Sequence, residues 1–280
     1  MRTRESINKT GANSLRFLYN TAVGRILLKP LICKPISSIA GWFLDTRLSK
    51  PFIKGFIKNN SIDMSDYEKR EFCSFNDFFT RRVLPNARPI SNSENAFISP
   101  CDARLTVFPI TEDALFTIKG IDYTISDLLE NDALAKQFTS GKILIFRLAV
   151  DNYHRYGWCA DGKASATKRI KGKYHTVQPI AMRRFPIFRE NAREYTVIET
   201  QSFKTIIQME VGALMVGRIC NLNCSPCNVT KGDEKGKFEF GGSTVIVLLQ
   251  KDAVNLQDEF LSNTQENFET NVKYGEMLNK

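Results

Sequence analysis

Residues 239–250 read EFGGSTVIVLLQ, and in them a serine hydroxyl directly follows two glycines. A serine can attack the carbonyl of the residue before it when that peptide bond can be bent out of its planar trans form. Glycine resists such distortion least. The bond between Gly242 and Ser243 is therefore a candidate for self-cleavage. The same string also reads as a turn into a strand, because glycine supplies positive φ and VIVLL is an apolar, largely β-branched run suited to a buried strand. Local pattern alone leaves both readings open. A second cluster, Cys220, Cys224 and Cys227 in CNLNCSPC, has the C-x3-C-x2-C spacing with which three thiolates hold an iron–sulfur cluster in radical-SAM enzymes. That motif normally opens a long α/β barrel, yet only 53 residues follow Cys227. A zinc knuckle would need a fourth ligand, and His154 and His175 are the only histidines. No metal is expected, and the odd count of seven cysteines reads as reduced thiols.

The elements that would position Ser243 belong to a chain of 280 residues, 42% hydrophobic and 25% charged, which is enough for a real core. From about residue 96 onward AFISP, RLTVFPI, FTIKG, GKILIFRLAV, REYTVIET, KTIIQMEVGALMVGRIC and GGSTVIVLLQ alternate with Gly, Pro, Asn and Asp breaks. A mostly β body follows, with helix expected near 124–138. A further short helix is expected within Ser65–Phe79, behind a serine cap and an acidic first turn. The fold class is α+β, divided into a helical region over 1–60 and a catalytic domain over 61–280.

Charge is concentrated at the start. Residues 1–58 hold eleven Lys/Arg against Glu5 and Asp45, while the rest is balanced at 28 to 28. The cations alternate with Phe17, Tyr19, Leu27, Leu28, Trp42, Phe43, Phe52 and Phe56, and Leu15, Leu18, Ala22 and Ile26 fall near one helical face. Basic helices with apolar faces lie in membrane interfaces, lysines on anionic lipid and aromatics at headgroup depth. A helical subdomain packed on the core with solvated cations is the plainer alternative, and nucleic acid the weakest. No uncharged run in this region approaches the ~20 residues of a membrane span, and MRTRESINKT lacks the apolar run of a secretory signal. A peripheral protein on the cytoplasmic face of the cell membrane is expected.

Seven strings occur in one order: FNDFFTRRVLPNARPI, SPCDARL, FRLAVDNYHRYGW, KYHTVQPIA, NAREYTVIET, QMEVGALMVGRI and KGDEKGKFEFGGSTVIVL. Together, from about residue 14 to residue 250, they resemble phosphatidylserine decarboxylases, pyruvoyl-dependent enzymes made as proenzymes. The resemblance implies a cut between Gly242 and Ser243, giving a β chain of 1–242 and an α chain of 243–280 that stay associated. Ser243 would turn the amide into an ester, lose it by β-elimination and end as an N-terminal pyruvoyl group. That ketone would form a Schiff base with the amine of phosphatidylserine and accept the electrons left by CO2, yielding phosphatidylethanolamine. The partners implied are phosphatidylserine and an anionic membrane surface, with no nucleic acid, and a second copy of the chain is a further candidate. The family's body also resembles the sandwich folds of biotinyl and lipoyl carrier domains, an analogy of fold only.

The resemblance maps an acid–base pair onto Asp102 of SPCD and His154 of DNYHR. Family members often carry a second histidine three places later, where this chain has Gly157. Three readings follow: His154 does both self-cleavage and decarboxylation, His175 takes one of them, or maturation fails. Arg147, Arg155, Arg193 and Arg218 are candidates for the headgroup phosphate or carboxylate. Two rivals remain, a pyruvoyl enzyme acting on a soluble amino acid and an unprocessed membrane-binding protein without activity.

Overall fold

A computed structural model describes residues 2–7, 13–118, 120–182, 184–214, 218–240 and 243–280. A short strand, β1 (Arg4–Ser6), precedes the helices α1 (Asn13–Asn20), α2 (Ala22–Leu31), α3 (Lys34–Asp45) and α4 (Phe52–Asn59), then α5 (Phe75–Phe79). The body continues with β2 (Ala103–Pro109), β3 (Leu115–Ile118), β4 (Ile121–Thr124), α6 (Ile125–Leu129), α7 (Asp132–Ala135) and β5 (Lys142–Leu148). Next come β6 (Arg155–Gly157), β7 (Gly162–Ala164), β8 (Lys168–Ile170), α8 (Pro179–Met182) and α9 (Ile187–Glu190). The last stretch holds β9 (Arg193–Glu199), β10 (Thr205–Val211), β11 (Ile219–Asn221), β12 (Cys227–Val229), β13 (Glu234–Phe238), β14 (Ser243–Leu249), α10 (Asp258–Gln265) and β15 (Phe268–Val272).

The main sheet is antiparallel, in the order β1-β15-β2-β5-β14-β10-β9-β7-β12, with β8 also on β9. β14 is central and every residue of it is buried. Alternation along a strand explains the unbroken apolar run. Val245, Val247 and Leu249 join one core with Phe146, Leu148 and Phe238, while Ile246 and Leu248 join the other with Ile145, Met209 and Val211. By the same alternation Ser243 looks to the first core and Thr244 to the second.

The connection into β14 is not a hairpin. β13 pairs with β11 and β6 in a separate three-stranded sheet, whereas β14 pairs with β10 and β5. The turn reading of the two glycines therefore loses its partner strands, although Gly241 and Gly242 themselves lie outside the described residues.

The N-terminal helices differ from the sequence expectation in one respect. Thr21 caps α2 by accepting from the Gly24 amide at 2.9 Å, so the helix restarts there. Leu15 and Leu18 pack on the body, whereas Ala22 and Ile26 are exposed, and the four do not share a face. The region is fastened at three places: β1 pairs with β15, Tyr19 is fully buried, and the Ile32 carbonyl accepts from Tyr174 N at 3.0 Å. The helix expected within Ser65–Phe79 is confined to α5, where Ser74 caps Asp77 N. Helix near 124–138 is found as α6, α7 and a short 3-10 turn. Glu130 at φ 48 ends α6.

Candidate active site

Ser243 is the first residue of β14, opposite Leu148 of β5, and is fully buried. Its Oγ makes no hydrogen bond among the described residues, nor does the neighbouring Thr244 Oγ1. Burial without a partner is costly for a hydroxyl and uncommon. The chain enters β14 through Phe240, which an aromatic cluster grips. The ring of Phe240 lies 4.9 Å from Phe75, 5.1 Å from Phe79 and 5.8 Å from Phe56, and its amide donates to Asn76 Oδ1 at 3.1 Å. Helices α4 and α5 thus hold the segment that carries the candidate bond.

His154 closes the other side of Phe79, ring centroids 4.0 Å apart. It is fully buried, and its Nδ1 lies 2.9 Å from the Asn152 carbonyl. A carbonyl only accepts, so Nδ1 carries the proton and Nε2 presents a lone pair. Nε2 has no hydrogen-bond partner among the described residues. Burial, and next the nearby Arg81, push the imidazole down to about 3, so it stays neutral at ordinary pH. A neutral base with a free lone pair thus borders the aromatic cluster that grips Phe240, three residues before the candidate nucleophile, and no hydrogen bond joins His154 to Ser243.

Asp102 is placed elsewhere. Arg88 holds it through Nε at 2.9 Å to Oδ1 and Nη2 at 2.6 Å to Oδ2, and Tyr274 N donates to Oδ1 at 2.8 Å. No hydrogen bond joins it to His154. Asn152, whose carbonyl faces His154 Nδ1, lines a cavity of about 550 Å³ together with Asp102. Gly157 lies against the Tyr274 side chain. A Cβ built there would meet Tyr274 Oη at 2.2 Å and Asp233 O at 2.7 Å, so the tyrosine fills the space a second histidine would use.

His175 is fastened to the N-terminal helices. Its Nδ1 lies 3.4 Å from Tyr19 Oη, its ring stacks on Phe185 at 4.7 Å, and Nε2 sits 3.3 Å from Glu190 Oε2, off the line of a hydrogen bond. Burial lowers its pKa and Glu190 partly opposes the shift. Asn191 donates to both the His175 and Gly212 carbonyls at 2.8 Å, which ties His175 to the end of β10.

Three of the four candidate arginines are committed. Arg147 pairs with Glu269, Arg155 with Glu234 at 2.5 Å, and Arg193 donates to the carbonyls of Leu128, Asp127, Arg189 and Asn191. Arg218 is largely exposed and only loosely paired, 3.4 Å from Glu239. With Lys34, Arg169 and Lys171 it lines a cleft of about 1000 Å³ between α3 and the sheet, which also takes in Glu239, four residues before Ser243. Cys220 is in this cleft as well, its thiol pushed up to about 11 by burial and then by Glu239. Two residues that sequence reasoning passed over matter here. Tyr274 carried no local signal, whereas Arg81 stands in FNDFFTRR, among aromatics.

The sequence profile of the phosphatidylserine decarboxylase family matches residues 75–280. The chain belongs to the phosphatidylserine decarboxylase family. Its curated relatives include the phosphatidylserine decarboxylase proenzyme 2 of Clostridium acetobutylicum, 43% identical over 94% of this chain and 90% of that protein. The proenzymes of Ruminiclostridium cellulolyticum and Clostridium perfringens are 40% and 39% identical, each over 96% of this chain and over 91% and 93% of theirs. Membership covers both halves of the site, α5 with its aromatic cluster and β14 with Ser243.

Proposed function

We propose that the chain is made as a proenzyme, cuts itself between Gly242 and Ser243, and decarboxylates phosphatidylserine to phosphatidylethanolamine and CO2 in phospholipid biosynthesis. The observation that carries this is the buried, unpartnered Ser243 hydroxyl at the head of the central strand. A hydroxyl that serves the fold finds a partner; one that must attack the preceding carbonyl is better left free. A pyruvoyl group suits the position, because a small keto group in place of the serine side chain needs no donor that the surroundings lack. It supplies an electron sink for the pair released with CO2.

The protein's own groups do the rest. Asn152 fixes the tautomer of His154, whose free Nε2 takes a proton in self-cleavage and handles one again in decarboxylation. Asp102, paired with Arg88, holds Tyr274 in the space beside Gly157. Lys34, Arg169, Lys171 and Arg218 offer cations to the headgroup phosphate in the cleft. Residues 243–280 stay attached after the cut, since β14 is bonded to β5 and β10 and β15 to β2.

Membrane contact at the cytoplasmic face belongs to the same reading. Val23, Ile26, Leu27, Ile39, Trp42, Leu48 and Phe52 are all more than half exposed on the N-terminal helices, Trp42 by 69% and Leu48 by 73%. So much apolar surface on the most basic part of the chain suits a lipid interface better than water, and a soluble amino acid as substrate gives no reason for it. No single described helix is long and apolar enough to cross a membrane, and α2 with α3 is bent by 67°.

Intact mass tests the core of the proposal. The expected result is two chains, 1–242 and 243–280, the smaller lighter by one ammonia than its sequence, and one uncut, inactive chain for Ser243→Ala. A wild-type chain that stays whole at 31.9 kDa, or a Ser243→Ala variant that still matures, overturns it.

A further inference from the structure

Helix α3 turns its polar face inward. Lys34, Ser37, Ser38, Gly41 and Asp45 recur at the three- and four-residue spacing of one helical face, and that face lines the cleft of about 1000 Å³ between α3 and the sheet. Ile36 and Ile39 stand on the opposite side of the helix, Ile39 exposed by 67%. A helix that merely packed on the body would do the reverse. Ser37 lies within the inward face and is only 6% exposed, yet its Oγ has no hydrogen-bond partner among the described residues. A helical serine readily bonds to the carbonyl four residues back. Ser37 does not, so a buried donor is left unspent in the wall of the cleft.

Its surroundings indicate an anion. Lys34 and Lys171 line the same cleft, and neither is in a salt bridge among the described residues. The first turn of α3 holds no acidic residue and Cys33 gives it no side-chain cap, so Lys34 adds to a helix end that is already partly positive. A hydroxyl donor and two free ammonium groups suit a group with several acceptor oxygens. The headgroup of phosphatidylserine offers two, a phosphate and a carboxylate, and the fold separates them. Ser37 is one turn into α3, whereas Asp45 ends it, eight residues and roughly 12 Å further along. Asp45 Oδ1 accepts from Asn76 Nδ2 at 2.9 Å, and Asn76 Oδ1 accepts from the Phe240 amide at 3.1 Å. The Asp45 end of the cleft is therefore joined to the segment that leads into β14, and the Ser37 end is the remote one. On the sheet side Ile170 and Arg193 line the cleft in one row of register with Val211 and Thr244, which puts Arg193 two strands, roughly 10 Å, from Thr244.

We propose that Ser37 is a ligand for the phosphate of the lipid headgroup: its hydroxyl donates to a phosphodiester oxygen beside Lys34 and Lys171, and the serine moiety of the substrate points along α3 toward Asp45. This deepens the proposed decarboxylation and rests on it. Free phosphate has the same chemistry, but the exposed Ile36 and Ile39 on the outer side of α3 favour a lipid, whose acyl chains stay with the apolar surface while the headgroup enters the cleft. The phosphate is unchanged by the reaction. Ser37 thus holds ground state and transition state alike, which sets KM and leaves kcat alone.

The test uses the uncut Ser243→Ala chain for binding and the matured chain for kinetics, each with Ser37 and with Ser37→Ala. Calorimetry measures glycerophosphoserine and glycerophosphoethanolamine, which share the phosphate but not the carboxylate. Both are expected to bind about tenfold more weakly, or worse, without the Ser37 hydroxyl, as for one hydrogen bond to a charged group. In the matured enzyme on phosphatidylserine vesicles the substitution should raise KM by a similar factor with kcat unchanged. The melting temperature should stay the same or rise, since the hydroxyl has no partner in the fold to lose. A lower melting temperature shows that the hydroxyl serves the fold and overturns the inference. Loss confined to glycerophosphoserine assigns Ser37 to the carboxylate, and inorganic phosphate bound as tightly as glycerophosphoserine assigns the cleft to free phosphate; either result overturns it. So do unchanged binding and KM, a fall in kcat in place of a rise in KM, or a chain that binds neither headgroup with Ser37 intact. A wild-type chain that never cuts overturns the proposed decarboxylation, while the binding measured on the uncut chain still judges Ser37 by itself.

Discussion

Tyr274 stands where a side chain on Gly157 would have to go. Its hydroxyl donates to the Gly232 carbonyl at 2.7 Å, and a Cβ on Gly157 would come within 2.2 Å of that oxygen. Gly157→His should therefore not simply add a second histidine to the site. It should destabilise the fold by about 2–4 kcal/mol through overpacking, whereas Gly157→His with Tyr274→Ala should recover only part of that, because the Asp233 carbonyl at 2.7 Å still crowds the new Cβ. Chemical denaturation of the three variants in the Ser243→Ala background measures this. Full stability of Gly157→His alone would show that the tyrosine yields freely.

Acid should unfold the protein earlier than its surface charges suggest. His154 is held at about 3 by burial and Arg81, against an ordinary value of 6.5. The unfolded chain takes up a proton below 6.5 that the folded chain refuses. Stability from this source is thus complete above pH 6.5 and is lost progressively between 6.5 and about 3, up to a few kcal/mol. His175, shifted down by burial, adds a loss of the same sign. Urea midpoints of Ser243→Ala between pH 7 and 4, beside those of its His154→Phe derivative, check the claim; equal slopes would remove His154 as the source.

Much of this was readable before any coordinates. β14 announced itself because a strand buried on both faces needs an unbroken apolar run, whereas the local pattern at Gly242 and Ser243 read equally as a turn, and only the resemblance of the seven strings singled out Ser243 as a candidate nucleophile. The two histidines were equally visible, but their surroundings were not. Whether Nε2 of His154 is free depends on Asn152, two residues away, turning its carbonyl onto Nδ1, and on Phe79, which only folding brings against the ring. Asp102 is an instance of the same limit: its string is legible, yet its partner Arg88 comes from fourteen residues upstream and Tyr274 from near the other end of the chain. The helical face of Leu15, Leu18, Ala22 and Ile26 failed for a local reason, since a threonine cap at Thr21 outweighed the periodicity.

Removing apolar bulk from the N-terminal helices should weaken lipid binding without harming the fold. Ile39 and Trp42 are exposed by 67% and 69%, so Ile39→Ser with Trp42→Ser should change stability by less than about 1 kcal/mol. Flotation with anionic vesicles should show binding down by about tenfold or more, at ~25 cal/mol per Å² of apolar area kept from water. Wild-type binding should also fall as salt rises. Salt-independent binding, or undiminished binding of the double variant, would place the contact elsewhere.

The two histidines give the sharpest division of labour. His154 offers a free Nε2 beside the aromatic cluster that holds Phe240, so His154→Ala should leave the chain uncut although folded. His175 is spent on Tyr19, Phe185 and Glu190, and His175→Ala should still produce two active chains. Its cost is structural: about 1–3 kcal/mol from lost packing against Phe185 and Tyr19, together with looser seating of α1 that limited proteolysis near Tyr19 would report. Should His175→Ala instead remain uncut while His154→Ala matures, the base for self-cleavage is His175, acting from the Thr244 side of the sheet where Asn191 ties it to Gly212. The fraction cleaved in each variant, measured with the decarboxylation rate of whatever matures, separates the two. Complete maturation and full activity in both would mean that neither imidazole moves the proton, and the base would have to be sought among the remaining groups of the site.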